Sequence, residues 1–131
     1  MRIFFDTNVL FSAFGFRGLS QELFRECSLH HQVIVSTYVI DELTRVMENK
    51  LAMDASDLKE IREQLIINCE LSDGQALLDI AIRDKADLPI VSAAVAAGAD
   101  VLVSGDKDLL VLHIPQIQIL SPRQLHNLLL K

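Results

Sequence analysis

The stretch Ile3-Phe4-Phe5-Asp6-Thr7-Asn8-Val9-Leu10 sets three apolar residues in a row, stops at an acid, and resumes with apolar positions at helical spacing. A short uninterrupted apolar run suits a strand buried on both faces, and Asp6 marks the point where that strand reaches the edge of its sheet. Val101-Leu102-Val103-Ser104-Gly105-Asp106, near the other end of the chain, has the same form. Two such units predict a sheet that delivers carboxylates from the ends of its strands.

Working outward, Val9, Leu10, Phe11 and Phe14, then Leu19, Leu23 and Phe24, recur at helical spacing around Gly15 and Gly18. Two short helices with a turn between them are predicted, with Ser20 as the cap of the second. Val33-Ile34-Val35 is a second β-branched run. Ser36 then caps a helix whose apolar face is Val39, Leu43, Val46 and Met47, with Glu42 in an early turn. Between Leu51 and Asn68, Leu58, Ile61, Leu65 and Ile66 stand among many charges and predict an amphipathic helix, folded back on the previous one as an arm or lid.

From Cys69 to Arg83 the pattern fits either a short strand or a loop with a helical turn. Ile90, Ala93, Ala94 and Ala97 predict a tightly packed helix, with Pro89 near its start and Gly98 at its stop. Ile117 to Leu120 is a last strand candidate. Ser121-Pro122 then leads a helix carrying Leu125, Leu128 and Leu129. Strands alternating with helices predict an α/β fold of three layers, α/β/α, around a mostly parallel sheet of four to five strands.

With 131 residues, half of them hydrophobic and 23% charged, the chain suits one well-filled core and a single domain over 1–131. No apolar run approaches the roughly 20 residues that cross a bilayer, so a cytoplasmic protein without membrane contact is expected. Cys27 and Cys69 lack the paired spacing of zinc sites and read as reduced thiols packed in the core. His30, His31, His113 and His126 are scattered without ligand spacing. The net charge of −6, from 18 acidic and 12 basic residues, is the wrong sign for general attraction to nucleic acid. Any such contact must be local, and Arg17, Arg25, Arg45, Lys50 and Lys107 are its candidates.

In a parallel sheet ligands bind beyond the carboxyl ends of the strands. Asp6 and Asp106 follow apolar strands, while Glu42 and Asp87 lie just inside following helices, so all four can meet in one cleft. Gathered carboxylates repel one another unless protonated or bridged by a cation, and all-oxygen ligands suit Mg²⁺ or Mn²⁺.

In these residues the chain resembles the PIN-domain family, particularly the toxins of bacterial toxin-antitoxin pairs. The resemblance rests on Asp6-Thr7-Asn8-Val9-Leu10, Asp41-Glu42-Leu43, Arg83-Asp84-Lys85-Ala86-Asp87 and the run from Ala99 to Leu110. It spans nearly the whole chain, and its specificity lies in four acids arriving in order along an alternating chain. It implies a Mg²⁺- or Mn²⁺-dependent endoribonuclease cutting single-stranded RNA, with Asp6, Asp87 and Asp106 as main metal ligands and Glu42 completing the set. It further implies Asn8 as orienter of the first acid and Ser104 as a hydroxyl holding a metal ligand or water. An antitoxin protein and a homodimer are the partners it suggests. Two acids compete at each later motif: Asp84 with Asp87, and Asp106 with Asp108. Asp87 matches the family offset and Asp106 stands nearer its strand, while Asp108 either joins the metal shell or favours a helix N-terminus.

Each acid has a plainer reading. Asp6 before Asn8 suits a turn or helix cap, and Glu42 or Asp87 alone suits a solvated helix. Two other functions compete. A non-catalytic PIN-like scaffold binding RNA or protein would need the acidic set to be incomplete or unable to hold metal, and the full quartet argues against it. A phosphoacceptor receiver domain would pair acids after the first strand, and Asp6 has no acidic neighbour.

Overall fold

The computed structural model describes residues 1–73 and 77–130. In chain order its elements are strand β1 (Arg2–Phe5), helices α1 (Thr7–Gly15) and α2 (Leu19–His30), strand β2 (Gln32–Ser36) and helices α3 (Thr37–Leu51) and α4 (Ala55–Asn68). Strand β3 (Glu70–Ser72) follows, then a 3-10 turn (Lys85–Asp87), helix α5 (Leu88–Ala96), strand β4 (Val101–Val103), helix α6 (Lys107–Leu110), strand β5 (Gln118–Leu120) and helix α7 (Pro122–Leu129).

The five strands form one parallel sheet in the order β3-β2-β1-β4-β5. β1 lies at its centre, with Phe4 in register with Ile34 on one side and Leu102 on the other. Ile3, Phe4 and Phe5 are wholly buried, as the unbroken apolar run requires. From β1 the chain winds first toward β3 and then, after α5, toward β5. Such a reversal opens a crevice beyond the carboxyl ends of the two strands where it occurs, here β1 and β4. The three-layer, parallel expectation is met.

Most local signals hold, and the exceptions have physical reasons. Ser36 caps α3 by accepting from Val39 N, and Ser121 and Gln124 form a reciprocal capping box on α7. Ser20 does not cap α2. Gly18, at φ 147°, takes that position, a backbone region that side chains seldom adopt, and Ser20 falls inside the first turn. α4 starts at Ala55 because Asp54 accepts from Asp57 N, and Ala52 reverses the chain in a left-handed conformation just before it. Ile66 turns outward, half-exposed, leaving Leu65 as the fully buried residue of α4. The ambiguous stretch from Cys69 contains the edge strand β3. Positions 74–76 of that stretch lie outside the described residues.

β1 is also fastened at its amino end. Arg2 donates its guanidinium to both carboxylate oxygens of Glu70 on β3 and to the carbonyls of Ala97 and Gly98, and its main-chain N–H donates to Asp100. Cys27 is buried and Cys69 half-buried, both free thiols whose pKa burial pushes up to about 12. Among the described residues no helix is long and apolar enough to cross a membrane.

Truncating the centre of the sheet should be severe. Phe4→Ala is expected to lower stability by about 3 to 5 kcal/mol, read from the urea unfolding midpoint, because rigid strands on both sides limit collapse of the cavity.

Candidate active site

Asp6 is the first residue past β1. Its N–H still pairs with Val103 O (3.1 Å), while its side chain turns to cap α1, Oδ1 accepting from Thr7 N at 2.7 Å. The plainer reading of Asp6 as a helix cap is therefore correct, and it is not the whole account. Oδ2 accepts from the Ser104 hydroxyl at 2.6 Å. With 3% of its surface exposed, Asp6 sits at the floor of a cavity of about 280 Å³ that Glu42, Asp87 and Asp106 also line. All four acids singled out in the sequence border this one space.

Each acid arrives by a different route. Glu42, one turn into α3, accepts a hydrogen bond from the Thr7 hydroxyl. Asp106 caps the four-residue α6 through Asp108 N (2.9 Å), and its own N–H donates to Ser104 Oγ (3.0 Å). Ser104, fully buried, thus joins the first acid to the last with one hydroxyl. Asp87 ends the 3-10 turn rather than lying inside α5. It holds the N-cap position without capping, and its buried Oδ2 has no hydrogen-bond partner. A buried carboxylate oxygen left unpaired is uncommon and calls for an explanation.

The electrostatics follow from this crowding. Burial raises the Asp6 carboxyl to about 6 against the lowering pull of Ser104 and Thr7, and the charges of Glu42 and Asp106 add to the rise. Asp87 is raised to about 7, first by burial and then by the neighbouring Asp106, with smaller contributions from Asp84 and Asp6. Burial and mutual repulsion thus bias the buried members of the set toward their protonated forms.

The competing and supporting residues fall into place around it. Asp84 caps the 3-10 turn through Ala86 N (3.0 Å), and Asp108 lies 3.6 Å from Arg83. Neither lines the cavity. Asn8 lines it, but its amide oxygen accepts from Gly105 N (3.2 Å), so it anchors the loop bearing Asp106 rather than Asp6. No residue of α4 borders the cavity among those described, so α4 is an arm on α3, tied by Arg62 to Asp41 at 2.6 Å, and not a lid.

Sequence reasoning missed Thr7, whose signal was a hydroxyl directly after the first acid. It also missed Tyr38, which donates its hydroxyl to Ala86 O (3.2 Å) and so ties the start of α3 to the turn carrying Asp87. Burial and the charges of Glu42 and Asp87 raise the tyrosine's pKa, as expected of a phenol beside carboxylates.

Among the described residues no three His, Cys, Asp or Glu side chains are gathered closely enough to grip a metal ion as they stand. The acids line a cavity without closing a coordination shell. Their chemistry nevertheless fits a hard divalent cation: all donors are oxygens, and the buried Asp87 Oδ2 is unpartnered.

A parallel α/β domain with an acid-lined cavity at its switch point is the class of protein that fold and site define. The PIN domain family model matches residues 2–108, and the chain belongs to that family. The fold is also that of VapBC2 from Rickettsia felis bound to a DNA fragment from their promoter, at TM-score 0.66 and 18% identity, over 92% of this chain and 98% of that one. DNA-bound VapBC from Salmonella typhimurium is similar at TM-score 0.66 and 20% identity, over 93% and 98% of the two chains. Among curated proteins no sequence matches the chain.

The raised carboxyls set a pH dependence. Acids whose native pKa exceeds the ordinary value of 3.8 bind more protons folded than unfolded, so metal-free stability falls as pH rises from about 4 to about 7. Thermal unfolding in EDTA is expected to show a lower midpoint at pH 8 than at pH 5, with Asp87→Asn flattening the difference.

Proposed function

We propose that the protein is a Mg²⁺- or Mn²⁺-dependent endoribonuclease that cuts single-stranded RNA, with Asp6, Glu42, Asp87 and Asp106 as its acidic site. The observation that carries this reading is the convergence of four carboxylates, from four separate segments, on one cavity at the sheet's switch point. Bound there, the divalent cation would supply Lewis acidity to the phosphodiester and acidify water for in-line attack on phosphorus.

The chain's own groups would do the holding. Thr7 N and the Ser104 hydroxyl fix both oxygens of Asp6, so that acid is preorganised. The Thr7 hydroxyl orients Glu42, and Asn8 steadies the loop that presents Asp106. Asp87 offers an oxygen with no other partner. Asp108 supports from outside, its N–H holding Asp106.

Membership of the PIN family, the resemblance to toxins of toxin-antitoxin pairs, and the fold shared with VapBC proteins support assignment as the toxin of such a pair. An antitoxin protein and a homodimer belong to that reading, as does a cytoplasmic location. One observation favours a second reading, a non-catalytic scaffold for RNA or protein: the carboxylates stop short of a closed coordination shell.

Purified protein on a panel of fluorescent single-stranded RNAs, with Mg²⁺, Mn²⁺ or EDTA, separates the two. Cleavage is expected only with metal, and Asp6→Asn and Asp106→Asn should each lower it by at least about a hundredfold. A protein that binds neither metal nor shows cleavage is the scaffold. Ser104→Ala, which frees one oxygen of Asp6, is expected to weaken Mn²⁺ binding about tenfold in calorimetric titration.

A further inference from the structure

Five basic residues are candidates for a local phosphate contact in this acidic chain. Of Arg17, Arg25, Arg45, Lys50 and Lys107, only Lys50 lines the acidic cavity. It forms no ion pair among the described residues. Instead its ammonium lies over the Phe11 ring, 5.9 Å from the centroid. Phe11 also lines the cavity, and Phe16 meets it edge-on with centroids 5.6 Å apart and 53% of its surface exposed.

Helix geometry explains the arrangement. Glu42, Val46 and Lys50 recur every four residues along one face of α3, and Thr7 and Phe11 do the same on α1, so both stripes line a single groove. The acids occupy one end and Lys50 the other, about 12 Å away along α3. The two helices meet at that far end, where Gly15 of α1 faces the Leu51 side chain. A Cβ there would come within 3.2 Å of Leu51, the neighbour of Lys50.

We infer that Lys50, Phe11 and Phe16 form a nucleotide subsite flanking the acidic cavity, which takes one phosphate and one unpaired base of a single-stranded RNA. The inference rests on the ribonuclease reading of the acids and deepens it. A cation at the end of an acidic groove draws the backbone to that end, while an exposed ring gives a base a face to stack on without regard to its identity. The subsite therefore selects for unpaired strands, since a paired base cannot leave its stack without losing its partner.

The test is fluorescence anisotropy of a labelled short single-stranded RNA on the full chain, in Mg²⁺ and in EDTA across a KCl series, with cleavage followed in parallel by gel. Lys50→Gln should lower the slope of log affinity against log salt by about 0.7, the loss of one phosphate contact on a single strand, and Lys50→Arg should restore it. Phe16→Ala should weaken binding about tenfold while leaving the salt slope alone, and an abasic strand should show no such loss. Circular dichroism of each variant checks that the fold persists. Unchanged affinity and slope in Lys50→Gln, alongside intact metal-dependent cleavage, would overturn the subsite and leave the nuclease reading standing. The expected binding losses with no cleavage under any metal would uphold the subsite and remove the nuclease.

Discussion

A carboxylate buried at the end of a central strand must be held by donors or it will take up a proton, and this requirement at Asp6 organises everything around it. Its two oxygens are met by a helix N–H on one side and a serine hydroxyl on the other. The first bond starts α1 directly on the end of β1. The second locks the end of β1 to the end of β4, so the position of Asp6 in the cavity is inherited from the register of the sheet.

The remaining acids are arranged against electrostatic preference. Glu42, Asp87 and Asp106 each come with a reason to be where they are: a bond from Thr7, the close of a 3-10 turn, a cap on α6. None of those local reasons supplies a positive charge to the cavity. Proteins keep unfavourable charge clusters where function demands them, and a PIN-family fold with this cluster at its switch point is consistent with that rule.

Much of this was legible beforehand. Ile3 to Phe5 and Val101 to Val103 announced buried strands because both faces of a parallel sheet are covered, and the acids that follow them are placed by the strands themselves. Ser36 and Ser121 announced their helices through capping chemistry that acts over three residues. What escaped was decided by contacts distant in sequence. β3 is three residues long at the sheet edge, and its Leu71 is 45% exposed, so no periodicity marks it. Gly18 displaced Ser20 as a cap because a turn requiring positive φ outranks a side-chain hydrogen bond. The orientation of Asn8 toward Gly105, and of Asp108 toward Arg83, depends on loops that only the folded sheet brings together.

The pairing of β1 with β4 has a bearing on how the molecule comes into being. Asp6 and Ser104 are 98 positions apart along the chain, yet the first strand cannot be covered on its second side until the residues around Val101 arrive. During synthesis from the amino end, an intensely apolar strand waits half-paired while most of the polypeptide is made. Closing so long a loop is entropically slow, so the acidic cavity is among the last features to assemble. A nascent or truncated chain would therefore carry three of its acids without the pocket that unites them.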